Sequence, residues 1–266
     1  MCTTYNYKAA FFTITAKTPM HCGAGGESFW IIDKLIQRDE TTNLPNINSS
    51  SLKGALREYM KDYLSNNGKI NGDSWPTVLF KIFGNDNTDL STEEKNLVAG
   101  ELKLDPKKIE IAGDIRILPA ELLSIPTLKE GKIKHIISSE WLKNNLKEKI
   151  ELFDHQLSGE TSIEDIIKAV EYVADAEFCE KVDDYNLPVI ARNHLEDGTS
   201  TNLWYEQILP RETKLFFTVV YNDENLFKVF EEAIIAHPVQ IGANASVGYG
   251  FCKIEEIHTT LKILKS

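Results

Sequence analysis

The sequence predicts an α+β fold in which four strands and two helices alternate as strand, helix, strand, strand, helix, strand. Three features predict it. Several stretches alternate apolar and polar residues with a period of two. Two segments carry apolar residues at i, i+3, i+4 and i+7, and a glycine-rich turn leads into the last strand. A length of 266 residues with 42% hydrophobic content suffices for a packed core, read as one domain over residues 1–266.

Residues 8–17 (KAAFFTITAK) open the pattern as a strand, with Phe12, Ile14 and Ala16 on one face and Thr13 and Thr15 on the other. A turn at Cys22-Gly23-Ala24-Gly25-Gly26 follows, and residues 29–48 show no helical period. The first helix is the clearest element. Leu52, Ala55, Leu56, Tyr59, Met60, Tyr63 and Leu64 keep amphipathic spacing, Ser49 or Ser50 is placed to cap it, and Asn66-Asn67-Gly68 to end it. Residues 85–106 are polar and read as a surface insertion. Ile109, Ile111, Ile115 and Ile117 alternate with Glu110, Asp114 and Arg116 and predict the second strand. Residues 138–150 and 163–176 predict helices. From 203 the chain returns to strand character with LWYEQIL, a turn at Pro210-Arg211-Glu212, and KLFFTVVY. A helix over 224–236 carries Leu226, Phe227, Phe230, Ala233 and Ile234, and VQIGANASVGYGFCKIEEI gives the closing turn and strand.

Without insertions this is a ferredoxin-like βαββαβ plan drawn from residues 8–17, 50–66, 108–118 and 203–258. The interruptions fall at 18–48, 69–106 and 119–200, and insertions of this size are usually functional.

Composition excludes several classes. No apolar run reaches the roughly 18 residues of a membrane span, and the polar start MCTTYNYK does not read as a signal peptide. The four cysteines (Cys2, Cys22, Cys179, Cys252) form no CxxC pair, so a zinc cluster or a secreted disulfide scaffold is not predicted. The expected setting is cytoplasmic and reducing. The net charge of −11 speaks against a nucleic-acid partner until it is divided along the chain. Residues 1–84 carry +2, residues 85–184 carry −10 and residues 185–266 carry −3. Screening limits a charge's reach to about 8 Å at physiological salt, so the acidic middle does not forbid phosphate contacts elsewhere.

Three segments carry candidate chemistry. At the start of the first helix, Ser51, Lys53 and Arg57 follow Ser49-Ser50, with Lys53 and Arg57 as i, i+4 neighbours. The helix dipole disfavours a cation in the first turn; an anion held there by free N–H groups and the lysine would reverse that. An ordinary capped, solvated helix fits equally well. The segment Gly242-Ala243-Asn244-Ala245-Ser246-Val247-Gly248-Tyr249-Gly250 can form a backbone nest for phosphate, or simply a tight turn before a buried strand; it is not a P-loop. His21 precedes the first glycine turn, and Asp33 lies between Ile31-Ile32 and Lys34-Leu35-Ile36. A carboxylate in an apolar stretch is either neutralised by Lys34 or Arg38, or projects from the body to bind a metal or take a proton. Trp204 and Tyr205 could stack a base, although an aromatic strand packed in a core is the simpler expectation. No HExxH, GxSxG or triad order is present.

Taken in order, five stretches resemble the backbone subunit of type III CRISPR effector complexes in the RAMP superfamily, specifically its Cmr-type (type III-B) branch. They are Thr18-Pro19-Met20-His21-Cys22-Gly23-Ala24-Gly25, Ile32-Asp33-Lys34-Leu35-Ile36-Gln37-Arg38, Ser50-Ser51-Leu52-Lys53-Gly54-Ala55-Leu56-Arg57, Leu203-Trp204-Tyr205-Glu206-Gln207-Ile208-Leu209-Pro210 and Gln240 to Gly250. The chain departs from the family pattern at Ala243, Ser246 and Ser49, where the family usually has Gly, Thr and Gly.

The resemblance implies a ferredoxin-like (RRM-type) palm, a helical lid from 69–106 and 119–200, and a β-hairpin thumb with a catalytic loop at 18–48. It implies that copies stack along a guide (CRISPR) RNA beside other subunits, with target RNA paired to the guide. It also implies that Asp33 is needed to cut that target. Lys53, Ser51, Arg57, Arg38, Gly242, Asn244, Ser246, Gly248 and Tyr249 would then contact RNA, independently of base identity.

The expected reaction is endonucleolytic cleavage of target RNA, active in the assembled complex. Unstacking by the thumb would bring a ribose 2′-OH in line with the adjacent phosphorus. Asp33 would bind Mg²⁺ or another divalent cation, or position the hydroxyl, and His21 would assist as an acid or hold the loop. The alternatives are a structural guide-binding subunit that never cuts, a guide-processing endoribonuclease active as a monomer, and a stand-alone metal phosphoesterase.

Overall fold

The computed structural model describes residues 7–25, 32–66, 69–70, 72–84, 91–105, 109, 111–158, 162–167, 170–183, 186–196 and 199–261. Gly26, Ile31, residues 29–30, 85–90 and Glu110 lie outside them. The main strands are β1 (Lys8–Ala16), β2 (Ala120–Lys129), β3 (Lys132–Ser139), β4 (Val170–Val173), β5 (Val189–Glu196), β6 (Thr199–Gln207), β7 (Lys214–Tyr221) and β8 (Phe251–Ile257). The helices are α1 (Ser49–Ser65), α2 (Trp75–Phe83), α3 (Thr92–Leu102), α4 (Glu140–Leu152), α5 (Asp175–Val182) and α6 (Glu224–Ala236), with a short turn of helix at Ile163–Ile167. No helix among the described residues is long and apolar enough to cross a membrane.

The central sheet runs β8-β1-β7-β2-β3-β4, with Val239–Gln240 beyond β8 and short pairings by Asn46–Ile47 and Arg116–Ile117. β1 is antiparallel to both neighbours, Phe12 facing Phe217 in register on one side and Glu256 on the other. Its alternation decides the packing. Phe12 and Ile14 join the core under α1, α2 and α6 with Leu52, Leu56, Met60 and Phe230. Phe11 points to the opposite face, where Leu146, Ile150, Ile163 and Ile167 cover it. In α1, Leu52, Leu56, Met60 and Leu64 are fully buried, each contributing roughly 1.5–3 kcal/mol.

Among the described residues, the strand expected over 108–118 is confined to Arg116–Ile117, paired with Val219 and Val220 of β7. The longer partner of β7 is β2, which sequence patterning assigned to an insertion. Both faces of β2 are covered and Pro126 interrupts it, so it shows no clean alternation. The helix expected over 163–176 ends at Ile167, and Val170–Val173 pairs parallel to β3 instead. α2, which the sequence pattern did not separate from the surrounding insertion, is almost wholly buried. Residues 203–207 leave the main sheet altogether: they belong to β6, which pairs antiparallel with β5 in a separate two-stranded hairpin.

Candidate nucleic-acid interface

Segment 32–38 runs beside the foot of the β5–β6 hairpin. The amides of Asp33 and Lys34 both donate to the Tyr205 carbonyl at 3.1 Å, and the Lys34 carbonyl accepts from the Gln207 amide at 2.9 Å. The Tyr205 amide in turn donates to Asp33 Oδ2 at 2.7 Å. One carboxylate oxygen is thereby fixed, and Oδ1 has no protein donor among the described residues. Asp33 is half-buried, and of its two sequence readings the ion pair is not what the structure shows. It is anchored by a backbone amide rather than by Lys34 or Arg38.

Lys34 is engaged with Glu206. Its ammonium donates to Glu206 Oε1 at 2.9 Å and stands 5.2 Å from the Trp204 ring centroid. Trp204 Nε1 donates to the same oxygen at 2.8 Å, while Oε2 accepts from Asn244 Nδ2 at 2.8 Å and lies 3.0 Å from Arg192 Nε. Glu206 is 1% exposed. Burial pushes its carboxyl up, but the Trp204 and Lys34 hydrogen bonds and the Lys34 and Arg192 charges outweigh this and hold it below the usual range. The buried carboxylate thus ties segment 32–38, both hairpin strands and the closing glycine turn together. Trp204 is half-buried and Tyr205 exposed, so these aromatics stand on a hairpin and not in a core.

At the other end of the segment, Gln37 does the joining. Its Nε2 donates to the Gly23 carbonyl at 3.1 Å and to Ser51 Oγ at 2.9 Å, and its Oε1 accepts from the Asn48 amide at 2.8 Å. α1 begins at Ser49, so Asn48 is the N-cap in place of Ser49 or Ser50, and no side chain caps the helix. No acidic residue occupies its first turn, and the amides of Ser49, Ser50 and Ser51 open onto an exposed face. Lys53 is the fifth helical residue, in the second turn rather than the first, and is half-buried.

Arg57 corrects the sequence expectation. It is 5% exposed, donates from Nη1 to the Gly84 carbonyl at 3.0 Å and lies 5.6 Å from the Phe80 ring centroid. α2 packs over this side of α1, turning a predicted RNA contact into a core cation. Arg38 donates from Nη1 to the Asn43 carbonyl at 2.8 Å, closing the 39–43 turn.

The glycine turn packs on the loop that carries His21. Ala243 N–H donates to the His21 carbonyl at 2.8 Å, and Gly250 N–H to the Pro19 carbonyl at 2.8 Å. Gly242 has φ +92° and a Cβ there would stand 2.5 Å from the His21 carbonyl oxygen, so no side chain fits. His21 itself is 3% exposed, with Nδ1 2.7 Å from the Gln207 carbonyl, to which it donates. This is a loop-holding position, and a general acid in contact with RNA is not what it offers. Asn244 and Gly248 are left-handed, at φ +67° and +84°, and bracket a turn of 3₁₀ helix at Ala245–Val247. The amides of Val247, Gly248, Tyr249 and Gly250 are used within the turn or on Pro19. Those of Asn244, Ala245 and Ser246 find no backbone acceptor among the described residues, so the nest is smaller than the motif suggests. The Tyr249 ring centroid lies 4.7 Å from the Arg192 guanidinium.

Sequence reasoning missed Gln37, Arg192 and Glu206 as the connectors. Only the isolated acid between Tyr205 and Gln207 hinted at one of them. No group of three or more His, Cys, Asp or Glu among the described residues could hold a metal ion. Among the described residues around Asp33 the donor set is one carboxylate with one oxygen already bonded, and the neighbouring Glu206 is spent on Lys34 and Arg192. These residues do not fit a protein-held Mg²⁺, which needs near-octahedral oxygen donors.

A family model described as the RAMP superfamily matches residues 13–253. The chain is 28% identical over 297 aligned positions to a Pyrococcus furiosus protein named CRISPR system Cmr endoribonuclease Cmr4, covering 93% of this chain and 95% of that one. Among solved structures, it is similar to a chain of the type III-B Cmr-beta complex bound to cognate target RNA, with a TM-score of 0.68, 18% identity, and coverage of 94% and 97%. It is also similar to oligomeric Cmr4 from Pyrococcus furiosus, with a TM-score of 0.61, 19% identity, and coverage of 95% and 99%.

Proposed function

The chain belongs to the RAMP superfamily, and on that premise we propose that it is a backbone subunit of a type III-B (Cmr-type) CRISPR ribonucleoprotein, aligned in copies along a guide RNA and cutting the target RNA paired to it. The observation that carries the reading is a convergence. The uncapped start of α1, the three open amides at Asn244–Ser246, and Asp33 belong to segments that Gln37 and Glu206 bind into one surface. The strand order β8-β1-β7-β2 with α1 and α6 on one face fits a ferredoxin-like palm. In this reading the β5–β6 hairpin, which begins within the 119–200 stretch expected as lid, takes the thumb role expected of residues 18–48, and residues 140–183 belong to the lid.

Guide phosphates lie against the α1 amides and Lys53, and a second stretch of the same backbone against the closing turn. Neither contact reads a base, as guide-directed recognition requires. Leu203 and Tyr205 are 55% and 38% exposed on the strand that anchors Asp33, positioned to unstack a target nucleotide. Asp33 then accepts the proton of the ribose 2′-OH. The 2′-oxygen attacks the adjacent phosphorus, and the 5′-oxygen leaves with a proton from water, giving a 2′,3′-cyclic phosphate and a 5′-hydroxyl. A carboxylate is a weak base, so most of the acceleration comes from orientation. Among the described residues, those beside Asp33 do not supply a site for a divalent cation.

The experiment is cleavage of a labelled target by the guide-loaded assembly. Asp33→Ala is expected to slow cutting at least about 100-fold while retaining guide and target. Unchanged cutting would support the non-cleaving structural role that a single carboxylate also permits; parallel loss of cutting and guide would remove the catalytic assignment.

A further inference from the structure

Gln37 lies on the segment that carries Asp33, and its side chain bonds to two other parts of the chain. Two of its partners are backbone groups of fixed polarity. The Gly23 carbonyl can only accept, and the Asn48 N–H can only donate. Together they decide which end of the amide is nitrogen. Nε2 therefore faces Ser51 and donates to its Oγ at 2.9 Å. Because Ser51 Oγ is the acceptor in that bond, its own proton points elsewhere. Among the described residues no acceptor takes that proton, and Ser51 is exposed.

Ser51 is the third helical residue of α1, and a helical Cβ leans back toward the N-terminus. Its O–H thereby joins the open amides of Ser49, Ser50 and Ser51 as a side-chain donor. In a capping box the third helical residue is a Glu or Gln that accepts from the N-cap N–H. Here Gln37 accepts that bond from a different segment, and it is neutral. The N-cap amide is satisfied without placing a negative charge where an anion would have to approach.

We propose that Gln37 is a positioning residue: it turns the Ser51 hydroxyl outward as a donor to the RNA phosphate at the start of α1. The inference rests on the reading that guide backbone lies there, and it names the side chain that prepares the contact. It also places that preparation on the segment of Asp33, so one stretch of chain serves both the guide contact and the cutting residue.

A double-mutant cycle on binding of labelled single-stranded guide RNA to the full chain, at fixed salt, tests it. Ser51→Ala removes the donor and is expected to weaken binding about tenfold, the lower end for a hydrogen bond to a charged group. Ser51→Thr keeps a hydroxyl and is expected to stay within about twofold of wild type. Gln37→Glu keeps the shape and the bond from Asn48, but it puts an acceptor where Nε2 stood, so the Ser51 proton turns inward. In that background Ser51→Ala is expected to cost less than about a further twofold. If Gln37 only braces the loop, Ser51→Ala keeps its full cost in the Gln37→Glu background, and that result overturns the proposal. Wild-type binding by Ser51→Ala overturns it too. Lys53→Glu in the same assay separates this failure from failure of the functional reading, because it weakens binding wherever RNA backbone lies on α1, whatever Gln37 does.

Discussion

The buried Glu206 carboxylate makes the sharpest prediction about how the site is held. Glu206→Gln preserves shape and removes charge. The wild-type carboxylate accepts from Trp204 and Asn244, each bond worth about 1 kcal/mol, and neutralises Arg192, whose side chain is 19% exposed. The Lys34 pair adds less, because the Lys34 side chain is 51% exposed and solvent screens it. The amide keeps one acceptor oxygen but presents N–H groups to donors and leaves Arg192 without a counter-charge. The expected cost is about 3 kcal/mol, at the low end for breaking a buried pair. In a chain of this size that lowers Tm by about 6–12 °C. The same group sets an acid limit. Its carboxyl is held below the ordinary range, so the folded state gains stability from it above the unfolded carboxylate value of about 4.3. That gain is lost as pH falls through the lowered value. Thermal unfolding of the wild type and Glu206→Gln between pH 3 and 7 measures both effects, with the gap between the two curves closing at the acid end. A Tm within 2 °C of wild type at pH 7, with an unchanged acid limb, would refute the role given to this network.

Two further substitutions test the corrected placements. Arg57→Ala is expected to destabilise the fold by about 2–3 kcal/mol, through its lost charge-assisted bond to Gly84 and its packing on Phe80, while refolded material binds RNA normally; denaturant unfolding and a binding titration separate the two. Gly250→Ala puts a Cβ 2.1 Å from the Ile241 carbonyl oxygen at φ +75°, so about 2 kcal/mol or more of stability is lost, read in the same unfolding experiment, together with weaker RNA binding as the closing turn shifts.

Some of this was legible from residue order. The buried row Leu52, Leu56, Met60 and Leu64 gives α1 its period, and the helix expected over 224–236 is Glu224–Ala236, because one apolar stripe faces one sheet. Alternation also assigns Phe12 and Thr13 to opposite faces of β1. β2 was hidden because layers on both sides of it erase alternation, and the Ile109–Ile117 pattern imitated the missing strand. Arg57 looked solvated because its helix carries polar neighbours; only α2, folding back from residue 75, reveals that its position is covered. The site followed the same rule. Local motifs marked Asp33, Lys53 and the glycine turn, whereas their connector Glu206 depends on Lys34, 172 residues away, which no spacing rule can anticipate.

The most direct test is whether RNA backbone lies on the open end of α1. Salt titration of guide RNA binding should give a slope of log K against log salt that is shallower in Lys53→Glu by about 0.7 per copy, the share of one phosphate contact on a single strand. The folded Lys53→Glu protein should also purify without the discrete small RNA that the wild type is expected to carry. An identical slope and identical bound RNA would contradict the account.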